Sequence, residues 1–123
     1  MENLEYRPNT RLAAVYFNGG NANLLRIHVN VTLADLKNQL YEINNWLRFR
    51  DQRRVTDVEY YCPSGTTSEG TLLFTNVKLR NNGDVRTMFS VFSRYRTNVP
   101  IELDASLVRY VEDIMSNLIR PRT

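Results

Sequence analysis

The sequence has little of what a metal centre, a disulfide framework or a nucleophilic active site requires. Its 123 residues include one cysteine, Cys62, and one histidine, His28. A lone cysteine excludes an intrachain disulfide and a zinc site built from paired cysteines. Cys62 follows Val58 and Tyr60 on the apolar side of a predicted strand, which favours a small core side chain over a catalytic thiol. We therefore predict no enzymatic activity, no cofactor and no metal.

Long apolar runs are missing as well. None approaches the roughly 20 residues that a membrane-spanning helix needs, and no basic segment followed by an apolar one opens the chain as a signal peptide would. The composition is globular, with 42% hydrophobic and 24% charged residues and only 5 glycines and 4 prolines. The length indicates one domain with its own core. These features predict an intracellular protein without a membrane partner.

A large excess of one charge is also missing. The 16 basic and 13 acidic residues leave a formal charge of +3. The arginines nevertheless cluster in two places, with Trp46, Phe49 and Tyr95 beside them. Trp46 and Phe49 fit either the core, where we expect them, or an exposed anchor beside a basic edge. The clustered residues are Arg48, Arg50, Arg53, Arg54, Arg94 and Arg96. Such clusters fit the solvated end of a helix or, as an alternative function, an accessory nucleic-acid-binding domain.

What the sequence does contain is a regular spacing of apolar residues. From residue 25 to residue 31 they occupy every second position, which is the period of a strand. After Thr32 they step by three and four residues, which predicts an amphipathic helix over 32–47 with Thr32 as its N-cap. Residues 11–17 supply a partner strand, joined by a turn at Gly19 and Gly20.

The second half of the chain repeats this order. Strands are predicted over 57–62, 71–79 and 99–105. A second helix is predicted from about residue 83, with its apolar face formed by Val85, Met88, Phe89 and Phe92. Hairpin, helix, two strands, helix and strand is the order of an α+β ubiquitin-like β-grasp, with a mixed sheet of about five strands. In that fold residues 11–17 and 99–105 pair in parallel at the centre of the sheet. Such domains usually act by offering surfaces to partners.

The chain then divides into a leader over 1–10, a β-grasp interaction domain over 11–105 and a helical extension over 106–123. The extension carries apolar residues at helical spacing, and their number exceeds what a small sheet needs to cover it. We predict that they form a partner-binding face, most simply the contact of a homodimer. The residues of this face are Leu107, Val111, Ile114 and Leu118.

Residues 58–61, 70–74 and 82–89 resemble the second half of the Phox-and-Bem-type interaction domain. In that family a strand, a glycine-containing loop and a second strand precede an aspartate, here Asp84, that opens the second helix. The resemblance covers residues 11–105 and implies a ubiquitin-like fold that binds other proteins. It places Arg11 at the family's basic position on the first strand. Glu69 stands alone in the loop that is acidic in the family, so charge-paired head-to-tail assembly is not implied.

Shorter stretches are similar to the N-terminal region of plant Mutator-like transposases and related legume proteins. They are residues 57–60, 78–81, 84–90 and 100–105. This similarity implies a transposon-derived nuclear protein whose DNA-binding and catalytic parts lie elsewhere or have been lost. The pattern and both resemblances together predict a non-enzymatic module for protein–protein interaction or self-association.

Overall fold

The computed structural model describes residues 7–48, 53–94 and 99–108. In this part of the chain the elements are β1 (Thr10–Phe17), β2 (Ala22–His28), α1 (Leu33–Leu47), β3 (Arg54–Thr66), β4 (Leu72–Lys78), α2 (Asn82–Ser93) and β5 (Ile101–Val108). The strands form one five-stranded sheet in the order β2-β1-β5-β3-β4. The first and last strands, β1 and β5, are therefore neighbours near the centre of this sheet.

The central pair of the sheet is parallel. β1 runs beside β5 from the Ala13–Ile101 pair to the Phe17–Ala105 pair, and all other neighbouring strands are antiparallel. This arrangement, with two helices in the connections, is an α+β ubiquitin-like β-grasp. The predicted fold and the predicted parallel pairing at its centre are both confirmed.

The first hairpin depends on a tight turn after β1. Asn18 and Gly19 have φ angles of 49° and 73°, and the Gly20 N–H donates to the Phe17 carbonyl over 2.9 Å. Two successive residues with positive φ make a turn whose twist matches that of the flanking strands. Asparagine and glycine adopt this conformation at low energetic cost, which explains why the chain reverses here.

Helix α1 begins where the sequence predicts. The Thr32 hydroxyl accepts a hydrogen bond from the Asp35 N–H over 3.1 Å, as expected of an N-cap. Leu36 and Leu40 are fully buried, as predicted. The last turn differs from expectation because Trp46, which we expected in the core, is 59% exposed. Ile43 is partly buried against the core, and the polar residue Asn44 next to it is fully buried.

Helix α2 begins one residue before the predicted start. Its N-cap is Asn81, whose side-chain oxygen accepts from the Asp84 N–H over 2.8 Å. The Asp84 carboxylate in turn accepts from the Arg80 N–H over 2.8 Å, so the helix start is held from both sides. Four apolar side chains of α2 are buried, and they are the predicted ones: Val85, Met88, Phe89 and Phe92.

The core lies between the helices and one face of the sheet. Alternate residues of the strands point into it, including Val15, Ile27, Val58 and Leu103, all at zero exposure. The buried faces of α1 and α2 belong to the same apolar cluster. Both helices therefore cover one face of the sheet, which we call the helix face.

Strand β5 is longer than predicted, and this corrects both a site residue and a boundary. Leu107 pairs with Val55 and is only 6% exposed, so its assignment to a helical partner-binding face is wrong. The Asn18 side chain extends the ladder on the other side, since it accepts from the Leu107 N–H over 2.8 Å and donates to its carbonyl over 3.3 Å. These bonds hold 106–108 as strand, so the boundary predicted after residue 105 falls inside β5. Val111, Ile114 and Leu118 lie outside the described residues.

Candidate functional site

The face of the sheet opposite the helices carries polar and aromatic side chains, and we call it the open face. Its residues alternate with the core residues along the same strands. At its centre are Tyr16 on β1, Glu102 and Asp104 on β5, and Glu59 and Tyr61 on β3. Neither described helix covers these side chains, because both α1 and α2 pack on the helix face.

Two tyrosine side chains, one from β1 and one from β3, extend over β5 in the middle of this face. The Tyr16 hydroxyl donates to the Glu102 carboxylate over 2.7 Å, and the Tyr61 hydroxyl donates to Asp104 over 2.8 Å. Tyr16 is level with Asp104 in the β1–β5 register, so each phenol reaches diagonally to its acceptor. The two rings stack with centroids 6.4 Å apart and planes inclined by 19°. The result is a preorganised tyrosine–carboxylate network.

These hydrogen bonds change the acidity of both phenols. Hydrogen bonding to Asp104 is the main reason that the pKa of Tyr61 rises to about 12. Hydrogen bonding to Glu102 likewise raises the pKa of Tyr16. An ionised phenol would lose its donor proton and would face a carboxylate of the same charge. Both tyrosines therefore remain neutral hydrogen-bond donors at physiological pH.

Like charges also lie directly opposite each other on this face. Glu59 on β3 is paired in register with Asp104 on β5, and such cross-strand pairs of equal charge destabilise a sheet. The Asn76 amide donates to Glu59 over 3.3 Å, which offsets part of this repulsion. Further along, Lys78 forms an ion pair with Asp57 over 3.1 Å. Acidic groups concentrated in this way favour partners that bring cations or hydrogen-bond donors.

The geometry of the lone cysteine and histidine speaks against a catalytic pair. Cys62 is half-buried against the core on the helix face, whereas His28 is exposed at the end of β2. β2 and β3 are separated by two strands, which puts their axes about 14 Å apart at ordinary strand spacing. The His28 Nδ1 atom instead accepts a local hydrogen bond from the Asn30 N–H over 3.1 Å.

The described ranges contain neither a metal site built from acidic, histidine or cysteine side chains nor a membrane-spanning helix. No group of three or more histidine, cysteine, aspartate or glutamate side chains there is arranged to hold a metal ion. None of the helices in the same ranges is long and apolar enough to cross a membrane.

The predicted arginine positions are distributed over several elements. Arg48 is the C-cap of α1, Arg94 is the C-cap of α2, and both are exposed. Arg54 starts β3 opposite Val108, the last residue of β5. Arg53 directly precedes it, and Arg50 and Arg96 lie outside the described residues. The exposed indole of Trp46 lies two residues before Arg48, so the same end of α1 carries an aromatic ring and a cation.

Arg11 has an unusual environment on β1. It pairs in register with Ile27, near the edge of the helix face. Its Nε and Nη2 atoms are buried without a hydrogen-bond partner in the described part of the chain, and burial lowers the pKa of the guanidinium. Buried donors that lack an acceptor are energetically unfavourable. These two donors of Arg11 therefore reduce the stability of the domain.

Sequence reasoning identified only part of the open face. The alternation with Ile101, Leu103 and Ala105 places Glu102 and Asp104 on one face of a strand, but the sequence does not single out Tyr16 and Tyr61. On its strand, each tyrosine alternates with the core residues and so lies on the opposite face of the sheet. This alternation was the signal in the sequence that could have identified both tyrosines. Their convergence depends on β1 and β3 flanking β5, which is a property of the topology.

Comparison with known proteins leaves this geometry as the main evidence. No family model, curated protein or solved structure matches the chain. The open face and the edges of the sheet are therefore the features that bear on function.

Proposed function

We propose that this protein is a non-enzymatic module for protein–protein interaction or self-association, with the open face of the β-grasp as a contact surface. The observation that carries the proposal is the tyrosine–carboxylate network of Tyr16, Tyr61, Glu102 and Asp104. It fixes aromatic rings and charged acceptors in one geometry on a surface that no described helix covers. Rigid aromatic groups with polar tips are favoured at protein interfaces.

One feature of the free chain supports a binding role over a purely structural one. The Glu59–Asp104 pair is repulsive in isolation, and cationic or donor groups of a partner would relieve that repulsion. This pair is therefore unfavourable in the free domain and becomes favourable in a complex.

The resemblance to the N-terminal region of plant Mutator-like transposases supplies the cellular context of the proposal. On this basis the module is transposon-derived and acts in the nucleus of a plant cell. Its partner is another copy of the chain or another nuclear protein. The predicted apolar stripe of Val111, Ile114 and Leu118 remains a second candidate contact.

A matched pair of charge reversals tests the proposal. Glu102→Lys changes the open face, whereas Glu42→Lys changes an exposed position on α1 by the same chemistry. Sedimentation of the full chain over a micromolar concentration series measures self-association. Cross-linking mass spectrometry in plant nuclear extract measures contacts with other proteins, and thermal unfolding confirms that both variants fold.

The proposal predicts that the open-face variant weakens self-association or removes a cross-linked partner that wild type and Glu42→Lys retain. Cross-links of that partner should map to β1, β3 or β5. Equal behaviour of both variants in both assays would show that the open face is not a contact surface. A wild-type chain that neither self-associates nor cross-links specifically would refute the interaction module itself.

A second candidate function is an accessory nucleic-acid-binding domain, and the exposure of Trp46 at the end of α1 that also carries Arg48 favours it. Aromatic rings that stack on bases, combined with cations that contact phosphates, are the usual means of binding single strands. The acidic open face and the modest net charge of +3 limit such binding. We therefore rank this function second and expect weak binding that does not discriminate between sequences.

Salt dependence and substitution test this second candidate. Duplex and single-stranded oligonucleotides are titrated with wild type, with Trp46→Ala, and with the triple variant Arg50→Glu/Arg53→Glu/Arg54→Glu. Binding should fall steeply with salt and be lost in the triple variant, because phosphate contacts release counterions. Tight binding to one sequence at physiological salt would reverse the ranking of the two functions.

A further inference from the structure

The β3–β4 hairpin extends beyond the rest of the sheet as a two-stranded arm. β3 pairs with β5 only over Arg54–Tyr60, but it pairs with β4 over Glu59–Thr66. Residues 61–66 of β3 and the part of β4 opposite them therefore pair only with each other within the described chain. A two-stranded ribbon is marginally stable in water unless something packs against it.

The arm exposes three consecutive apolar residues. Leu72, Leu73 and Phe74 are 40%, 46% and 48% exposed, and as neighbours on a strand they occupy both of its faces. β4 is an edge strand of the described sheet. At the opposite edge, β2 exposes Leu24 alone among its large apolar residues, at 45%. Exposed apolar edges promote pairing with another strand, and proteins usually protect them with charge.

Charge protects this edge very little. Between residues 63 and 77 the only charged side chain is Glu69, in the turn at the tip of the arm. Lys78 lies at the far end of β4 and is already paired with Asp57. A second copy of the chain, although it carries the same charge of +3, can approach this segment without bringing like charges together.

The backbone of the edge is oriented for strand addition. Thr71 accepts from the Thr67 N–H and Leu79 donates to the Val58 carbonyl, so the backbone groups at both ends of β4 point toward β3. Because direction alternates along an antiparallel strand, the N–H and C=O groups of Leu72, Phe74 and Asn76 point away from β3. They form a row of donors and acceptors that an added strand would pair.

These observations identify the added strand. We propose that β4 pairs antiparallel with β4 of a second copy of this chain, about a two-fold axis at Leu73. In this register Leu72 lies opposite Phe74 of the second copy, and Phe74 lies opposite its Leu72. Both outward-pointing positions then form hydrogen-bonded pairs. The Leu72 and Phe74 side chains of the two copies form a cluster of four on one face of the joined sheet, and the two Leu73 side chains meet on the other face. Such reciprocal contacts are what an isologous dimer requires.

The proposal rests on the self-association form of the proposed function and adds the edge of β4 as a contact surface beside the open face. Leu73→Lys places a charge at the two-fold axis, and Leu24→Lys is its control at an equally exposed position of the other edge. The full-length wild type should form a dimer in sedimentation equilibrium. Leu73→Lys should weaken that dimer by at least about tenfold, the effect expected at the centre of an interface. Leu24→Lys should leave it unchanged, and equal thermal unfolding would show that both variants are folded.

Disulfide trapping tests the register. In a Cys62→Ala background, Leu73→Cys places two thiols on Cα atoms about 4.5 Å apart across the axis, within the range that a disulfide bridges. Thr75→Cys is the control, because this register separates its two copies by about 14 Å. Oxidised glutathione should cross-link the residue 73 variant and leave the residue 75 variant monomeric on a denaturing gel. Equal cross-linking of both variants would contradict the register.

One further variant separates this proposal from the broader one. Ile114→Lys/Leu118→Lys in the full chain changes the predicted C-terminal face. If that variant abolishes the dimer and Leu73→Lys does not, the protein self-associates but the arm is not the contact. A wild-type monomer throughout the concentration series would overturn the arm proposal, while an interaction with another protein would still be tested by cross-linking in nuclear extract.

Discussion

The two faces of the sheet are built from the same strands but differ in what their side chains contact. On β5, Ile101 and Leu103 are completely buried beneath the helices, whereas Glu102 and Asp104 between them accept hydrogen bonds from tyrosines on the open face. Alternate residues of one strand therefore serve different purposes: one set stabilises the core, and the other set forms the candidate contact surface. The period of 2 along a strand makes this separation possible.

Two adjacent tyrosines show the same contrast in their acidity. Tyr60 points to the helix face and Tyr61 to the open face, and the pKa of each is raised to about 12. Burial is the main cause for Tyr60, whose ring packs edge-on against Phe92, whereas a hydrogen bond to Asp104 is the main cause for Tyr61. Equal shifts can thus arise from unrelated environments, and substitution of Asp104 should separate them.

The largest effect is expected on the helix face. Leu40→Ala and Leu103→Ala each remove a fully buried side chain from the core, and each should lower the free energy of unfolding by about 2–5 kcal/mol. Chemical denaturation at neutral pH measures this. A loss below about 0.5 kcal/mol, the scale of surface substitutions, would contradict the assignment of that residue to the core.

A smaller effect is expected from the residue next to Leu103. Asp104→Asn keeps the shape of the side chain but removes the charge that Tyr61 bonds, and it also relieves repulsion with Glu59. Because these effects oppose each other on a half-exposed surface, the free energy of unfolding should change by no more than about 1 kcal/mol. If Asp104→Asn destabilised the protein as much as Leu103→Ala, the two faces would not differ as described.

Alkaline pH should distinguish the two tyrosines. Their pKa values are raised in the folded state, so their contribution to stability is complete below the unfolded value near 10 and is lost as pH rises through about 12. Tyrosinate absorbance of wild type and Asp104→Asn should show one phenol ionising at lower pH in the variant, while Tyr60 is unaffected. Adding Tyr61→Phe to the Asp104→Asn variant should remove this ionisation at lower pH. An unchanged titration in Asp104→Asn would contradict the role of this hydrogen bond.

The smallest effect is expected at the edge strand β2. Leu24→Thr exchanges one exposed apolar side chain for a polar one with good strand propensity, so the free energy of unfolding should stay within about 0.5 kcal/mol of wild type. Thermal unfolding at matched concentration measures this. A larger loss would show that Leu24 packs against something beyond the described residues.

The local pattern of the chain was enough to predict the β-grasp. Thr32 with Asp35 marked the start of α1, and the apolar spacing of Val85, Met88, Phe89 and Phe92 marked the buried side of α2. The parallel pairing of β1 with β5 followed from the order of the elements. These features depend on residues that are close in sequence or on rules of connection, so a single sequence displays them.

Other features depended on contacts between distant residues. Leu107 looked like the first residue of an amphipathic helix, because its spacing to Val111 is helical. Asn18 and Val55 hold it in β5 instead, and neither contact is visible in local periodicity. Trp46 was expected in the core, but α1 ends where no described element covers it.

By itself, the sequence determined the fold class, the helix caps and most of the core, because hydrophobic periodicity and capping are written in neighbouring residues. The tertiary structure alone brought Tyr16 and Tyr61 together over Glu102 and Asp104, and it alone extended β3 and β4 beyond β5. Both outcomes result from strand order and register, which place residues up to 88 positions apart side by side. Long-range pairing of this kind has no counterpart in the spacing of residues along the chain.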